Sequence, residues 1–225
     1  MAQKRKATAE ESPPYSGSCY GHGWRQMWKY FFELLLVLIV LFLVSIPSWG
    51  FSIAEKIEAH PGLFFIFLFS LAYVVLVERP MEYGASFVFL KAARGDRLEV
   101  KDMFDVFKNY GNAILAHLLS GLIIGIGFVL LIVPGIVFAC KLAFVPYLIV
   151  DRKMDAIEAV KTSWRMTTGH AFTIFLIGFI AIFVAIVGLI CFGVGIIVSI
   201  IWIKLAFASL YHSVSQSKGK GSTKR

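Results

Sequence analysis

This chain has little charge, few cysteines and none of the short motifs that mark common enzyme sites. Charged residues make up 16% of its 225 residues, against about 25% in an ordinary soluble domain. The shortage is concentrated. Residues 109–150 carry one formal charge, Lys141, and residues 171–213 carry one, Lys204. The remaining charges gather in islands at 1–33, 55–58, 78–108, 151–165 and 218–225. A helix of such length in a soluble protein needs a polar face, and these runs have none, which excludes a soluble globular domain. The three cysteines, Cys19, Cys140 and Cys191, are scattered, which excludes a disulfide framework and gives no metal-ligand spacing. His-Glu-x-x-His, Gly-x-Ser-x-Gly, a phosphate-binding loop and a Gly-x-Gly-x-x-Gly turn are all missing, so no metal, nucleotide or other cofactor is indicated. The net charge of +8 comes with no basic stripe interleaved with aromatics. It argues for lysine- and arginine-rich cytoplasmic loops and against a nucleic-acid partner.

What the chain does have is apolar length. A membrane span needs about 20 apolar residues to cross roughly 30 Å of hydrocarbon, so the stretches 109–150 and 171–213 are each about two spans long. From the N-terminus, residues 1–23 read as a disordered cytoplasmic tail, with Lys4-Arg5-Lys6, Glu10-Glu11 and Pro13-Pro14. Trp24 to Tyr30 form an aromatic and basic belt suited to headgroups. The next apolar run starts too far in and is too long for a cleaved signal peptide, so it reads as an anchor. Spans are expected at about 31–54, 62–78, 111–133, 135–150, 171–190 and 193–213, with 214–225 as a basic cytoplasmic tail. Between spans two and three, Phe87, Leu90, Met103, Phe104, Phe107 and Tyr110 recur every three or four residues with a break near Gly95-Asp96. That spacing predicts two short helices on the membrane surface. Met154, Ile157, Ala159, Val160 and Trp164 predict a third amphipathic helix. The fold class is therefore all-α and polytopic, a six-span membrane domain over 24–213 with amphipathic interfacial helices.

Placing the N-terminus inside puts 78–111, 151–170 and the tail Lys218–Arg225 inside as well, and leaves the turns at Val133-Pro134-Gly135 and Cys191–Gly195 outside without a charge. Every loop then obeys the positive-inside rule. Pro134-Gly135 reads as a turn or helix start, since proline has no donor to lose there. The two later hairpins look like copies. Lys-Leu-Ala-Phe occurs at 141–144 and 204–207, each preceded by Gly-Ile, at Gly135-Ile136 and Gly195-Ile196. Gly111-Asn112-Ala113 and Gly169-His170-Ala171 open them, and an aspartate, Asp102 or Asp155, precedes each. Both begin and end inside, which makes them parallel repeats beside an N-terminal pair of spans.

A lysine near the middle of a span costs about 2.5–3.5 kcal/mol on insertion scales, so Lys141 and Lys204 are candidate substrate or lipid contacts. One reading has both lysines lining a shared polar cavity that meets an anionic substrate or a lipid phosphate. The other, which is favoured, has Lys204 snorkelling to the inner interface and Lys141 satisfied by a carbonyl, His117 or Glu33. His117, His170 and Glu33 are placed near the inner interface.

The connectors carry a resemblance. Arg79-Pro80-Met81-Glu82-Tyr83-Gly84, Phe104, Val133-Pro134-Gly135-Ile136, Tyr147 with Asp151, and Ala156-Ile157-Glu158-Ala159 with Ser163 and Gly169 resemble the bacterial integral membrane proteins grouped as domain of unknown function 975. The likeness covers roughly 25–213. The part from Pro134 to Gly169 is also similar to the membrane domain that accompanies some glycerophosphodiester phosphodiesterases. The resemblance implies a multi-pass protein of the bacterial cytoplasmic membrane. The soluble barrel that does phosphodiester chemistry in the second group has no counterpart in this sequence, so that activity is not implied. It further implies that Pro134-Gly135 closes an outer turn, and that Ser163 and Gly169 end an interfacial helix. Lys141 and Lys204 stand outside the shared pattern.

Three readings are open, in this order. The first is a non-enzymatic membrane scaffold that organises lipid or a membrane or cytoplasmic protein partner, with 80–108 and 154–168 as its platform. The second is a small permease using Lys141 and Lys204 for an anionic substrate. The distant third is a lipid-active enzyme, which needs Glu33, Glu78, His117 and His170 to converge; no catalytic residue is assigned.

Overall fold

The structure, a computed structural model, describes the backbone of residues 16–57, 63–190 and 194–222, and the side chains of 17–48, 65–190 and 195–216. Among the described residues it is helical throughout, with no strand. The helices are α1 (Ser16–Lys29), α2 (Phe31–Ile57), α3 (Leu63–Tyr73), α4 (Arg79–Arg94), α5 (Tyr110–Leu130), α6 (Ile132–Leu142), α7 (Val145–Asp151), α8 (Ala156–Thr167), α9 (Ala171–Ile190) and α10 (Val194–Ser222). A π turn, Val74–Glu78, joins α3 to α4, and a 3-10 helix, Val100–Asn109, precedes α5.

Five segments are long and apolar enough to cross a membrane: Phe31–Ser48, Val100–Leu130, Ile132–Asp151, Ala171–Ile190 and Gly195–Gln216. Their outer faces carry large apolar side chains in the open, such as Phe32, Leu122, Phe172, Phe183 and Val187. The tip between α5 and α6 is apolar throughout, with Val129 88% and Val133 71% exposed. A soluble monomer rarely shows more than a few hundred Å² of contiguous apolar surface, whereas lipid-facing helices must. The protein is a multi-pass membrane protein.

The interior is assembled around α4 and α10. Met81, Tyr83, Ala85, Val88, Phe89, Leu90, Ala92 and Ala93 of α4 are buried, as are Ile201, Leu205, Ala206, Ala208, Leu210, Tyr211 and Val214 of α10. This adds to the expectation for residues 78–94. The short helix expected there is present as α4, and it is packed into the bundle against α10, α7 and the 3-10 helix. The expected break holds: Gly95 closes α4 at φ 78°, where its N–H meets the Ala92 carbonyl, a backbone state that glycine adopts without penalty.

Three further boundaries differ from the sequence reading. Residues 16–23, assigned to a disordered tail, form the first turns of α1, with Cys19 and Tyr20 buried and Gly23 against Leu205 and Ala206 of α10. Residues 1–15 lie outside those described, as do 58–62, 191–193 with Cys191, and 223–225. At the other end, α10 continues to Ser222, through most of the segment assigned to a tail. Finally, the expected fourth span is broken at Ala143-Phe144 into α6 and α7. Pro146 explains the break, because it has no N–H to donate and its ring crowds the carbonyl four residues earlier.

The two hairpin tips close by the same device. A Cβ on Gly127 would come within 2.9 Å of Gly135 Cα, and one on Gly135 within 2.6 Å of the Phe128 ring. A Cβ on Gly188 would meet the Ser199 hydroxyl and, at 2.7 Å, the Gly195 carbonyl. Small residues let each helix pair approach closely.

Candidate functional site

The polar side chains fall into three groups along the bundle. The first sits at the foot of α4. Arg94 holds Asp151 through two bonds of 2.7 Å, and the Tyr211 hydroxyl donates to the same carboxylate at 3.1 Å. Arg94 and Asp151 are 25% and 12% exposed. Hydrogen bonding to Asp151 holds the Arg94 guanidinium above its ordinary pKa. Asp151, a motif residue of the sequence, thus ties α4, α7 and α10 together.

The second group secures α8. The break after α6 frees carbonyls, and α8 answers with hydroxyls. Ser163 Oγ donates to the Lys141 carbonyl at 2.8 Å, and Thr167 Oγ1 lies 3.2 Å from it. Both hydroxyl residues are fully buried. Ser163 therefore does not end the interfacial helix as the resemblance implied; it lies inside α8, which runs on to Thr167. Gly169, at φ 92°, comes just after the helix end in a backbone state that favours glycine. Pro134 and Gly135 lie in the first turn of α6, just past the apolar tip. Losing the Ser163 hydroxyl leaves the Lys141 carbonyl with the Thr167 hydroxyl as its remaining side-chain donor, and the lost hydrogen bond costs about 0.5–1.5 kcal/mol. Ser163→Ala is accordingly expected to lower the thermal unfolding midpoint in detergent, and Ser163→Thr to lower it less.

Lys141 belongs to this second group. Its Nζ donates to Thr168 Oγ1 at 2.9 Å and lies 5.6 Å from the centre of the Trp164 ring. Its partners are thus on the connector to α9, and neither His117 nor Glu33 is among them. His117 rests edge-on against Tyr83.

The third group lies in a groove between α2 and α10, floored by the junction of α3 and α4. The π turn Val74–Glu78 inserts an extra residue, with the Arg79 N–H bonding back to the Val74 carbonyl. One extra residue rotates the succeeding helix by about 100°. Glu78, Arg79 and Glu82 all line the groove, together with Ser45 of α2 and Lys204 of α10. Glu82 is the hub. Arg79 Nη1 reaches it at 3.0 Å and Lys204 Nζ at 3.4 Å. The Lys204 ammonium also lies 5.9 Å from the Phe89 ring centre. Glu78 accepts from the Ser45 hydroxyl at 3.2 Å, and has no cation within ion-pair distance among the described residues. The walls are apolar: Leu35, Leu38, Ile39 and Phe42 on one side, Ile196, Ile197 and Ile200 on the other. The cavity measures about 800 Å³.

The two lysines are thus engaged separately. Lys204 lines this groove with Glu82, while Lys141 is bonded at the connector. Lys204 does not need to snorkel, because α4 brings it a carboxylate. Among the described residues, no three of His, Cys, Asp and Glu gather closely enough to hold a metal ion. Sequence reasoning missed Arg79 and Glu82 as groove residues. Their one signal was position, immediately after an apolar run, in the Arg-Pro-Met-Glu connector.

Compared with known proteins, the chain matches no family model, no curated protein and no solved structure.

Proposed function

We propose that this is a non-enzymatic membrane protein that organises lipid, and that it does so by holding a lipid in the groove between α2 and α10. The observation that carries this reading is the pairing of apolar walls with an ionic floor in one cavity. Such a cavity has the amphiphilic character of a lipid: chains against isoleucine and leucine, a polar end against Arg79, Glu82, Glu78 and Lys204. A permease for a small anion needs Lys141 and Lys204 on one path, and their separate partners favour the lipid reading.

The frame around the groove is part of the proposal. The apolar segment 62–78 makes a sixth span, and both termini face the cytoplasm of a bacterium, as the distribution of lysine and arginine supports. The paired tip glycines, Gly127 with Gly135 and Gly188 with Gly195, support two repeated hairpins. The connector motifs support kinship with the family of domain of unknown function 975.

Native mass spectrometry from a mild detergent tests the reading. The protein is expected to retain one lipid per chain, and Ile200→Trp, which fills the groove, to lose it while keeping its thermal midpoint. Equal lipid retention by the two proteins would refute it.

A further inference from the structure

From the charges that line the groove, and resting on the lipid reading above, we infer that its occupant is a phospholipid whose headgroup carries both a phosphate and a primary amine, the phosphatidylethanolamine type. The groove presents two formal cations, Arg79 and Lys204, and two formal anions, Glu78 and Glu82. Its charge is balanced, so an anionic headgroup has no net attraction to it and a zwitterion fits both signs.

The two carboxylates are not equivalent. Glu82 already receives Arg79 and Lys204. Glu78, four residues earlier at the end of the π turn, receives only the Ser45 hydroxyl among the described residues. A carboxylate beside apolar walls with one neutral donor calls for a cation, and an ammonium with free N–H groups supplies charge and hydrogen bonds together. The cations, in turn, have donors to spare. An ammonium has three and a guanidinium five, and Glu82 takes one bond from each. The Arg79 side chain is 42% exposed and that of Lys204 27%, so a phosphate oxygen in the groove can take charge-assisted bonds from their remaining N–H groups. Glu78 and Arg79 adjoin in the chain, as amine and phosphate adjoin in the headgroup.

The seat is deep for a headgroup. Lys204 lies ten residues beyond Val194, about 15 Å along α10 at 1.5 Å per residue. The bound headgroup is therefore seated below the plane of its neighbours.

The test is titration of the delipidated full-length protein with phosphatidylethanolamine, phosphatidylcholine or phosphatidylglycerol of identical chains, read by native mass spectrometry. Phosphatidylethanolamine is expected to bind at least tenfold more tightly than the other two. Glu78→Gln keeps an acceptor for Ser45 but removes the charge, and is expected to bring phosphatidylethanolamine down to the level of phosphatidylcholine. Lys204→Gln is expected to weaken all three. Equal binding of the three lipids, with loss of all in Ile200→Trp, would overturn the headgroup assignment and leave the lipid groove standing. Binding that Ile200→Trp does not alter would overturn both.

Discussion

Gly84→Ala is expected to destabilise the protein by about 3 kcal/mol, at the upper end of the usual cost of overpacking. Gly84 is buried in α4, where the 3-10 helix crosses it. A Cβ there would run into the Met103 carbonyl oxygen and come within 2.9 Å of its carbon and 3.3 Å of Val106 Cγ1. The first obstacle is backbone, and no rotamer change relieves it. The 3-10 helix would have to lift, loosening Met103 and Val106, both buried. The control is the same substitution where nothing opposes it. Gly121 in α5 and Gly178 in α9 have nothing within 4 Å of a built Cβ. There alanine gains helix propensity, up to about 1 kcal/mol. Chemical unfolding in detergent should therefore show opposite signs for Gly84→Ala and Gly178→Ala. A loss of the same size at both sites would mean that the packing of the 3-10 helix on α4 is wrong.

The second large effect is expected at Arg94. Removing it leaves Asp151, 12% exposed, with the Tyr211 hydroxyl as its remaining side-chain partner. Breaking one side of a largely buried pair costs about 3–5 kcal/mol, because the surviving charge stays desolvated. Arg94→Met should lower stability by about that amount. The double change Arg94→Met with Asp151→Leu should recover most of it, since replacing both charges by apolar groups of similar volume is often neutral. Lys101, 77% exposed and paired with Glu99, is the comparison: Lys101→Met should change nothing measurable. Equal thermal midpoints for Arg94→Met and Lys101→Met would contradict the role given to the Arg94–Asp151–Tyr211 contact.

How much of this was legible beforehand differs by residue for physical reasons. The apolar runs at 31–48 and 171–190 announce themselves because a bilayer demands an unbroken local sequence, and hydropathy is a local property. The start of α1 did not, because Cys19 and Tyr20 are buried by α10, nearly two hundred residues later in the chain. Pro146 carried the signal for the break between α6 and α7, but the apolar run around it masked the stop. The groove was half visible. Lys204 stood out as a charge inside a span, whereas its partner Glu82 is 122 residues away and sat among the charges of a polar connector. Gly84 likewise lay within a conspicuous motif, yet only the crossing of the 3-10 helix shows why a side chain does not fit there.

The most direct test asks what fills the groove between α2 and α10. Ser45→Cys, in a variant with Cys19, Cys140 and Cys191 replaced by alanine, reports from beside Glu78 to a membrane-impermeant thiol reagent added to inside-out membrane vesicles, with Lys101→Cys as the accessible control on the exposed cytoplasmic face. The lipid account predicts protection at position 45 in native membranes and labelling once lipid is stripped away in detergent. Rapid labelling in those vesicles, at the rate of position 101, would contradict it and mark the groove as a water-filled path.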